Sequence, residues 1–409
     1  MTVELRPLNV ACNLSCTYCY QEPQRQITNN QSKGYDIDKM LQEVDKVGHN
    51  FNVFGGEALL VPKKDLERLW EFGLKKFNQN GIQTNGTLID DDHIELFKKY
   101  KVYVGVSVDG PDELNSLREV RGKEGNDQAT YEATKKTIQN IERLKKENIP
   151  VGVIITLHRL NGTKEKIPKL LEFVKWLHSL GISGNFHALE VDKTMPDQEK
   201  HVLTQEENAE LFITLAKFVK EHKMRWKPFS DMEDMLLGDD SQSNCIWNRC
   251  DSMNTSAVYG IEGNGSLSNC GRTAKEGIDW YKANDHNYSR YISLYNTPDE
   301  MGGCKGCRFW LLCGGSCVGE AIDGDFRNKT IHCHTQYELL SYYEQELLKT
   351  GVEPITTSEK RTLLEKISIK HLSMNHNISL RQAIKELEKS KKQVVNLPVK
   401  KTETTRANK

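Results

Sequence analysis

The chain has 409 residues, enough for two or three domains and a sizeable core, and a formal net charge of −1, so no overall field draws it to nucleic acid or a membrane surface. No apolar run reaches the length of about 18 residues that a membrane helix needs. The opening MTVELRPLNV carries Glu4 and Arg6 instead of an apolar signal segment, so a cytoplasmic protein with neither membrane nor nucleic-acid partner is expected.

Candidate strands and helices alternate from residue 3 to about residue 225. The strands are expected at Glu4–Val10, Phe51–Phe54, Gly81–Thr84, Val102–Val108, Val151–Leu157 and Ile182–Leu189. Between them, helical spacing runs over 36–48, with Asp36 as cap and Gly48 as stop, then over 63–77, 91–100, 131–149 and 166–181, the last closed by Gly181. Six β/α repeats are two short of a closed eight-stranded barrel, so the expected fold class is α/β, a partial (β/α)6 TIM-like barrel. A further helix over 203–224 opens on Thr204 with Glu207 three places on, the spacing of a capping box.

The texture then changes. Residues 239–335 are rich in Gly, Ser, Asn and Cys and show little periodicity, so they need staples or metals to hold a shape. A helix around 335–349 follows, then helical patterns over 358–372 and 379–392 and a final KKTETTRANK expected to be disordered. From Ile355 to Lys409 there are thirteen Lys or Arg against five Asp or Glu, a basic tail on an otherwise acidic chain. The expected division is 1–225, 226–350 and 351–409.

Eleven cysteines are the sharpest feature. A reducing compartment disfavours disulfides and an odd number cannot all pair, whereas thiolates suit zinc or iron–sulfur. Cys12, Cys16 and Cys19 stand in the stretch CNLSCTYCY, on the loop after the first strand. A structural zinc site needs four ligands, so a zinc reading requires a fourth from elsewhere. A four-iron cube held by three thiolates keeps one iron open to an outside molecule.

CNLSCTYCY resembles the signature of the radical S-adenosylmethionine (SAM) superfamily. The resemblance implies a [4Fe-4S] cluster on Cys12, Cys16 and Cys19 whose open iron binds SAM. It also implies reductive SAM cleavage to a 5′-deoxyadenosyl radical, and hydrogen abstraction from a substrate inside a water-poor cavity. Other strand ends fit it: VFGGEALL supplies Gly55, Gly56 and Glu57, IQTNGTLI supplies Asn85, and VGVSVDGP supplies Ser107. The resemblance implies SAM contacts from these residues, from Tyr18 beside the adenine and from Arg121 to the carboxylate, with Arg118 a competitor for that pairing.

The other eight cysteines resemble, in order and spacing, the SPASM domain that extends radical SAM enzymes acting on peptides and proteins. The resemblance implies two auxiliary [4Fe-4S] clusters. One would use Cys245, Cys250, Cys270 and Cys317; the other Cys304, Cys307, Cys313 and Cys333. Three, four and four account for all eleven cysteines, three clusters in total. A pair of zinc ribbons is the rival.

These resemblances imply a radical SAM maturase of a ribosomal peptide, ending in backbone splicing with loss of tyramine or in side-chain crosslinking. The opening CNLSCTYCYQEPQR and the missing Asp after Cys270 resemble the cyanobacterial-type peptide spliceases. Expected partners are the precursor peptide, a separate leader-recognition protein and an electron donor such as flavodoxin or ferredoxin. Formylglycine formation of the anaerobic sulfatase-maturase kind is an alternative. It loses support because the Asp expected directly after Cys270 is Gly271, followed by Arg272, and neither Asp279 nor Asp285 is singled out as a replacement base. A small-molecule substrate and a zinc-binding interaction protein are further alternatives.

Overall fold

The computed structural model describes residues 2–32, 34–190, 196–251, 253–273 and 282–395. Among these residues ten strands form: β1 Thr2–Arg6, β2 Leu14–Cys16, β3 Phe51–Val53, β4 Asn80–Thr84, β5 Val102–Ser107, β6 Arg118–Val120, β7 Val151–Leu157, β8 Gly184–Ala188, β9 Val258–Glu262 and β10 Leu267–Ser268. Six of them, β1, β3, β4, β5, β7 and β8, are the predicted barrel strands, paired in parallel in that order. Burial on both faces explains the aliphatic run of β7, where Val151, Gly152 and Val153 are buried in succession, whereas β5 encloses Val102, Val104 and Val106 on one face and exposes Tyr103 on the other.

The helices between them follow local chemistry. Asp36 caps Ile37–Val47 by accepting from the Lys39 amide, and Gly48 ends it in the left-handed region. Thr204 and Glu207 form the expected capping box at the start of Gln205–Glu221. The helix predicted from residue 131 begins earlier, at Asp127, because Asn126 caps it through the Ala129 amide.

The sheet does not stop at six strands. β9 and β10 come from the cysteine-rich region; β9 pairs in parallel with β1, and β10 in antiparallel fashion with β9. The region in which no periodicity was visible therefore extends the barrel sheet along its β1 edge. One apolar cluster also runs through the barrel, past Phe186, Trp226 and Phe229, to Leu339, Leu340 and Tyr343 on the helix Cys333–Lys349. The Phe186 and Trp226 rings stack 4.8 Å apart at its centre.

The two tail helices form at Arg361–Ser373 and Leu380–Val395; they and the loop between them bury Leu364, Leu372, Ile378, Leu380 and Ala383 in apolar clusters shared with residues such as Trp310, Leu311 and Leu312. The expected disordered end, from 396 on, lies outside the described residues. Among the described residues no helix is long and apolar enough to cross a membrane.

Candidate active site

The C-terminal ends of parallel strands leave a crevice that neighbouring loops must line. Here it is a chamber of about 370 Å3 enclosed by the barrel on one side and the cysteine-rich region on the other. Cys12, Cys16 and Cys19 face it from the barrel side; Cys245, Cys250, Cys270 and Cys317 face it from the other.

The triad loop is built by its neighbours. β2 pairs with β6 in a small antiparallel ladder that matches Cys16 to Arg118. The Asn30 side chain clasps the backbone N–H and C=O of Cys12, each at 3.0 Å. The two glycines after β3 allow the loop to close on the barrel: a Cβ on Gly56 would sit 2.2 Å from the carbonyl oxygens of Val10 and Ala11. Gly55 has φ +134°, in the region that favours glycine. The Gly56 amide donates to Asn9 and the Glu57 amide to Ala11, both at 2.9 Å. The N–H groups of Gly56 and Glu57 thus hold the cysteine loop, and Gly55 and Gly56 line the chamber.

Glu57 itself lies behind the chamber wall, 1% exposed. Its carboxylate accepts from the Leu59 amide (2.8 Å), the Thr84 hydroxyl (2.7 Å) and the Asn85 amide (2.7 Å), tying the β3 and β4 loops together. Burial raises its pKa while these bonds oppose the rise. Gly55, Gly56, Asn85, Ser107 and Tyr18 line the chamber, with Ser107 accepting from Gln83 at 2.9 Å.

Of the two competing arginines, the chamber is lined by Arg118 and not by Arg121. Strand alternation accounts for this: three residues apart along an extended segment fall on opposite faces. Arg121 instead donates to the Leu14 carbonyl at 3.1 Å and pairs with Glu22 at 2.9 Å. Arg118 donates to the Tyr18 hydroxyl at 2.6 Å, and that hydroxyl donates to Asp109. Asp109 is fully buried and also accepts from the Thr156 amide at 2.9 Å. Burial alone would raise its carboxyl, but Arg118, His158 and Tyr18 hold it below the usual value.

All eleven thiols are free of disulfides. Burial pushes Cys12 up to about 11 and Cys16 up to about 12, with Arg25 and Arg118 respectively opposing the rise. The remaining thiols act on one another in two groups. Cys250 is influenced by Cys270, Cys317 and Cys245; Cys313 is influenced by Cys333, Cys304 and Cys307. Cys317 thus belongs with partners earlier in the chain although it stands between Cys313 and Cys333. Buried thiolates without a compensating cation are costly, so donor sets of this kind fit an iron–sulfur group. Among the described residues no three His, Cys, Asp or Glu are drawn up as a single metal ion would need them.

The far wall holds a cluster that sequence reasoning did not assemble. Arg272 pairs with Glu190 and with Glu320, each at 2.6 Å, and its third nitrogen donates to His187 Nδ1 at 3.1 Å. Burial and the Arg272 charge push His187 down to about 3, so the ring is a neutral donor through Nε2. The sequence singled out Arg272, but its partners lie 48 and more positions away, on β8, the loop after it and the turn after Cys317. Asp285 does not line the chamber, and Asp279 lies outside the described residues.

Residues 7–177 match the model of the Radical SAM superfamily. The chain is 26% identical over 392 residues to a cysteine-type anaerobic sulfatase-maturating enzyme of Clostridium perfringens, covering 86% of this chain and 98% of that one. A solved structure of anSMEcpe with bound AdoMet and Cp18Cys peptide superposes with a TM-score of 0.65 at 22% identity, over 85% of this chain and 98% of that one. SuiB of Streptococcus suis, bound to its precursor peptide SuiA, superposes at 0.52 and 15% identity over 82% and 75%. At these identities the structural likenesses carry the fold alone.

Proposed function

We infer, for a chain that carries a radical SAM domain over residues 7–177 and is an enzyme of that superfamily, that it modifies a residue of a peptide substrate by hydrogen abstraction inside this chamber. The domain implies a [4Fe-4S] cluster and SAM, which together supply a 5′-deoxyadenosyl radical when bound. In this reading Cys12, Cys16 and Cys19 hold that cluster. Cys245, Cys250, Cys270 and Cys317 hold one auxiliary cluster; Cys304, Cys307, Cys313 and Cys333 hold a second, in a SPASM-type arrangement.

The observation that carries the proposal is the shared chamber: one all-cysteine set faces another across a space of about 370 Å3. With clusters bound, the triad Cys12, Cys16 and Cys19 and the set Cys245, Cys250, Cys270 and Cys317 would face the same bound residue, the first supplying an open iron and the second a group able to accept an electron. This chain's residues do the positioning. Arg118 and Tyr18, held from behind by the buried Asp109, form a fixed polar wall beside the triad, with Arg118 in the place expected of Arg121. Gly55, Gly56, Asn85 and Ser107 complete the SAM end. His187 offers a neutral N–H at the opposite wall.

Peptide maturation by splicing or crosslinking is favoured by Arg272. Directly after Cys270, where the resemblance calls for an acid as base, this chain carries Gly271, and the next residue, Arg272, is a guanidinium paired with two glutamates. Formylglycine formation is the second reading, and the near full-length likeness to a cysteine-type sulfatase-maturating enzyme favours it. The peptides bound in anSMEcpe and SuiB support a peptide substrate under either reading. A ferredoxin or flavodoxin would supply electrons, and a separate protein would recognise the leader.

Anaerobic reconstitution followed by SAM and dithionite tests the core of the proposal: roughly twelve irons per chain and release of 5′-deoxyadenosine are expected. Mass spectrometry after co-expression with a candidate precursor and, separately, with a Cys-containing sulfatase peptide separates the two readings. Loss of tyramine or of two hydrogens from the precursor supports the first. Formylglycine in the sulfatase peptide alone supports the second.

A further inference from the structure

Arg25 has no place in the scheme above, yet it is among the most deeply buried charges of the chain, 2% exposed. It sits on the short helix Glu22–Ile27 that follows the triad, and it lines the chamber. Its Nε donates to the Val10 carbonyl at 2.7 Å, and its Nη2 donates to the Cys19 sulfur at 3.5 Å. Its Nη1 pairs with Glu22. The same Glu22 oxygen accepts from Arg121 Nη2 at 2.9 Å. One carboxylate is therefore shared between two guanidinium groups, and a net positive charge remains beside the triad.

We propose that Arg25 sets the reduction potential of the cluster held by Cys12, Cys16 and Cys19, acting through its hydrogen bond to Cys19 Sγ and its buried charge. This rests on the functional reading given above. Iron–sulfur potentials depend on net charge and on hydrogen bonds to the sulfurs. Reduction adds one negative charge to the cluster, so a desolvated cation in contact with a ligand sulfur favours the reduced form. Glu22 opposes Arg25 and tempers the effect. Arg121 in turn tempers Glu22, which gives that residue a role one step removed from the cluster.

The test is a redox titration of the anaerobically reconstituted full-length protein, followed by electron paramagnetic resonance. The signal to follow is the one whose shape changes on addition of SAM, since only a cluster with an open iron responds. Replacing Arg25→Met is expected to lower the ratio of reduced to oxidised cluster at a fixed potential about tenfold, ~59 mV for a one-electron couple. Arg25→Lys keeps the charge without the fork and restores part of the shift. Glu22→Gln is expected to move the ratio the other way, upward.

Opposite signs from adjacent residues would not arise from a loosened loop. Variants that keep full iron and titrate with the wild type, or that shift in the same direction, overturn the proposal. If Arg25→Met loses iron, Glu22→Gln decides alone: a rise supports the proposal and an unchanged midpoint refutes it. A wild type with no SAM-responsive signal overturns the functional reading, and this inference with it.

Discussion

The two walls of the chamber hold their cysteines by opposite means. The triad comes from eight consecutive positions, and ordinary backbone chemistry shapes its loop. Strand β2 pairs with β6, Thr17 N–H donates to the Leu117 carbonyl at 2.9 Å, and Asn30 clasps Cys12. The other eight cysteines are drawn from Cys245 to Cys333, through short 3-10 turns and helices such as Trp310–Cys313. Little there besides β9 and β10 supplies a ladder. The contrast teaches that the triad is shaped by the fold, whereas a group bound by the other eight thiols would help to shape theirs. In small loop-rich regions ligand binding free energy is folding free energy.

The comparison breaks most visibly when one thiol is removed from each side. Cys313→Ser, in the more distant set, is expected to cost several kcal/mol, a fall of about 10 °C or more in Tm at roughly 2–4 °C per kcal/mol. Cys16→Ser is expected to move Tm by no more than about 3 °C while abolishing 5′-deoxyadenosine formation. Calorimetry of the reconstituted proteins under argon checks both, and equal losses in the two variants would refute the contrast.

Arg272 joins the two walls, so its removal comes next in size. Arg272→Met leaves Glu190 and Glu320 facing each other in a buried site without their shared cation. Breaking a buried pair from one side costs about 3–5 kcal/mol, measurable by urea unfolding. A cost below about 1 kcal/mol would mean that the cluster is effectively solvated.

The same division governs what could be read in advance. The barrel strands were legible because a parallel sheet buried on both faces demands aliphatic runs such as VGVIITL, and because Asp36, Gly48 and Thr204 punctuate the helices. β9 escaped notice because VYGIE is short and carries Gly260, whose Cβ would collide with Ser268 Oγ at 2.2 Å. The triad and the cysteine spacings were legible as patterns. The site's polar walls were not: His187 and Glu190 meet Arg272 only through the tertiary fold. Arg118 and Arg121 look alike in REVRG until the pleat assigns them opposite faces.

His187 offers a sharper, smaller effect with a defined sign. The unfolded chain takes up a proton near pH 6.5, whereas in the folded protein burial and Arg272 push that event down to about 3. The folded state therefore binds fewer protons between these values. Stability is full above about pH 6.5 and is lost as the pH falls toward 3, by at most about 1.4 kcal/mol per unit. His187→Gln should flatten the acid side of a urea-unfolding series between pH 4.5 and 7; an unchanged slope would place the ring in water.

The least disruptive change, Arg121→Ala, tests how local the triad wall is. The Arg121 side chain is 24% exposed, and its partner Glu22 keeps Arg25 when Arg121 is removed, so no carboxylate is stranded and the loss is expected to cost only about 1 kcal/mol. Because it lies off the chamber face, SAM affinity should change by less than about threefold, under ~1 kcal/mol. Arg118→Ala removes a buried donor from Tyr18 and a cation from beside Asp109. It should weaken SAM binding tenfold or more, ~1.4 kcal/mol. Equilibrium binding of SAM to the reconstituted variants measures both. Equal effects would show that the β2–β6 ladder positions the two arginines alike, and that the pleat does not decide which of them meets the cofactor.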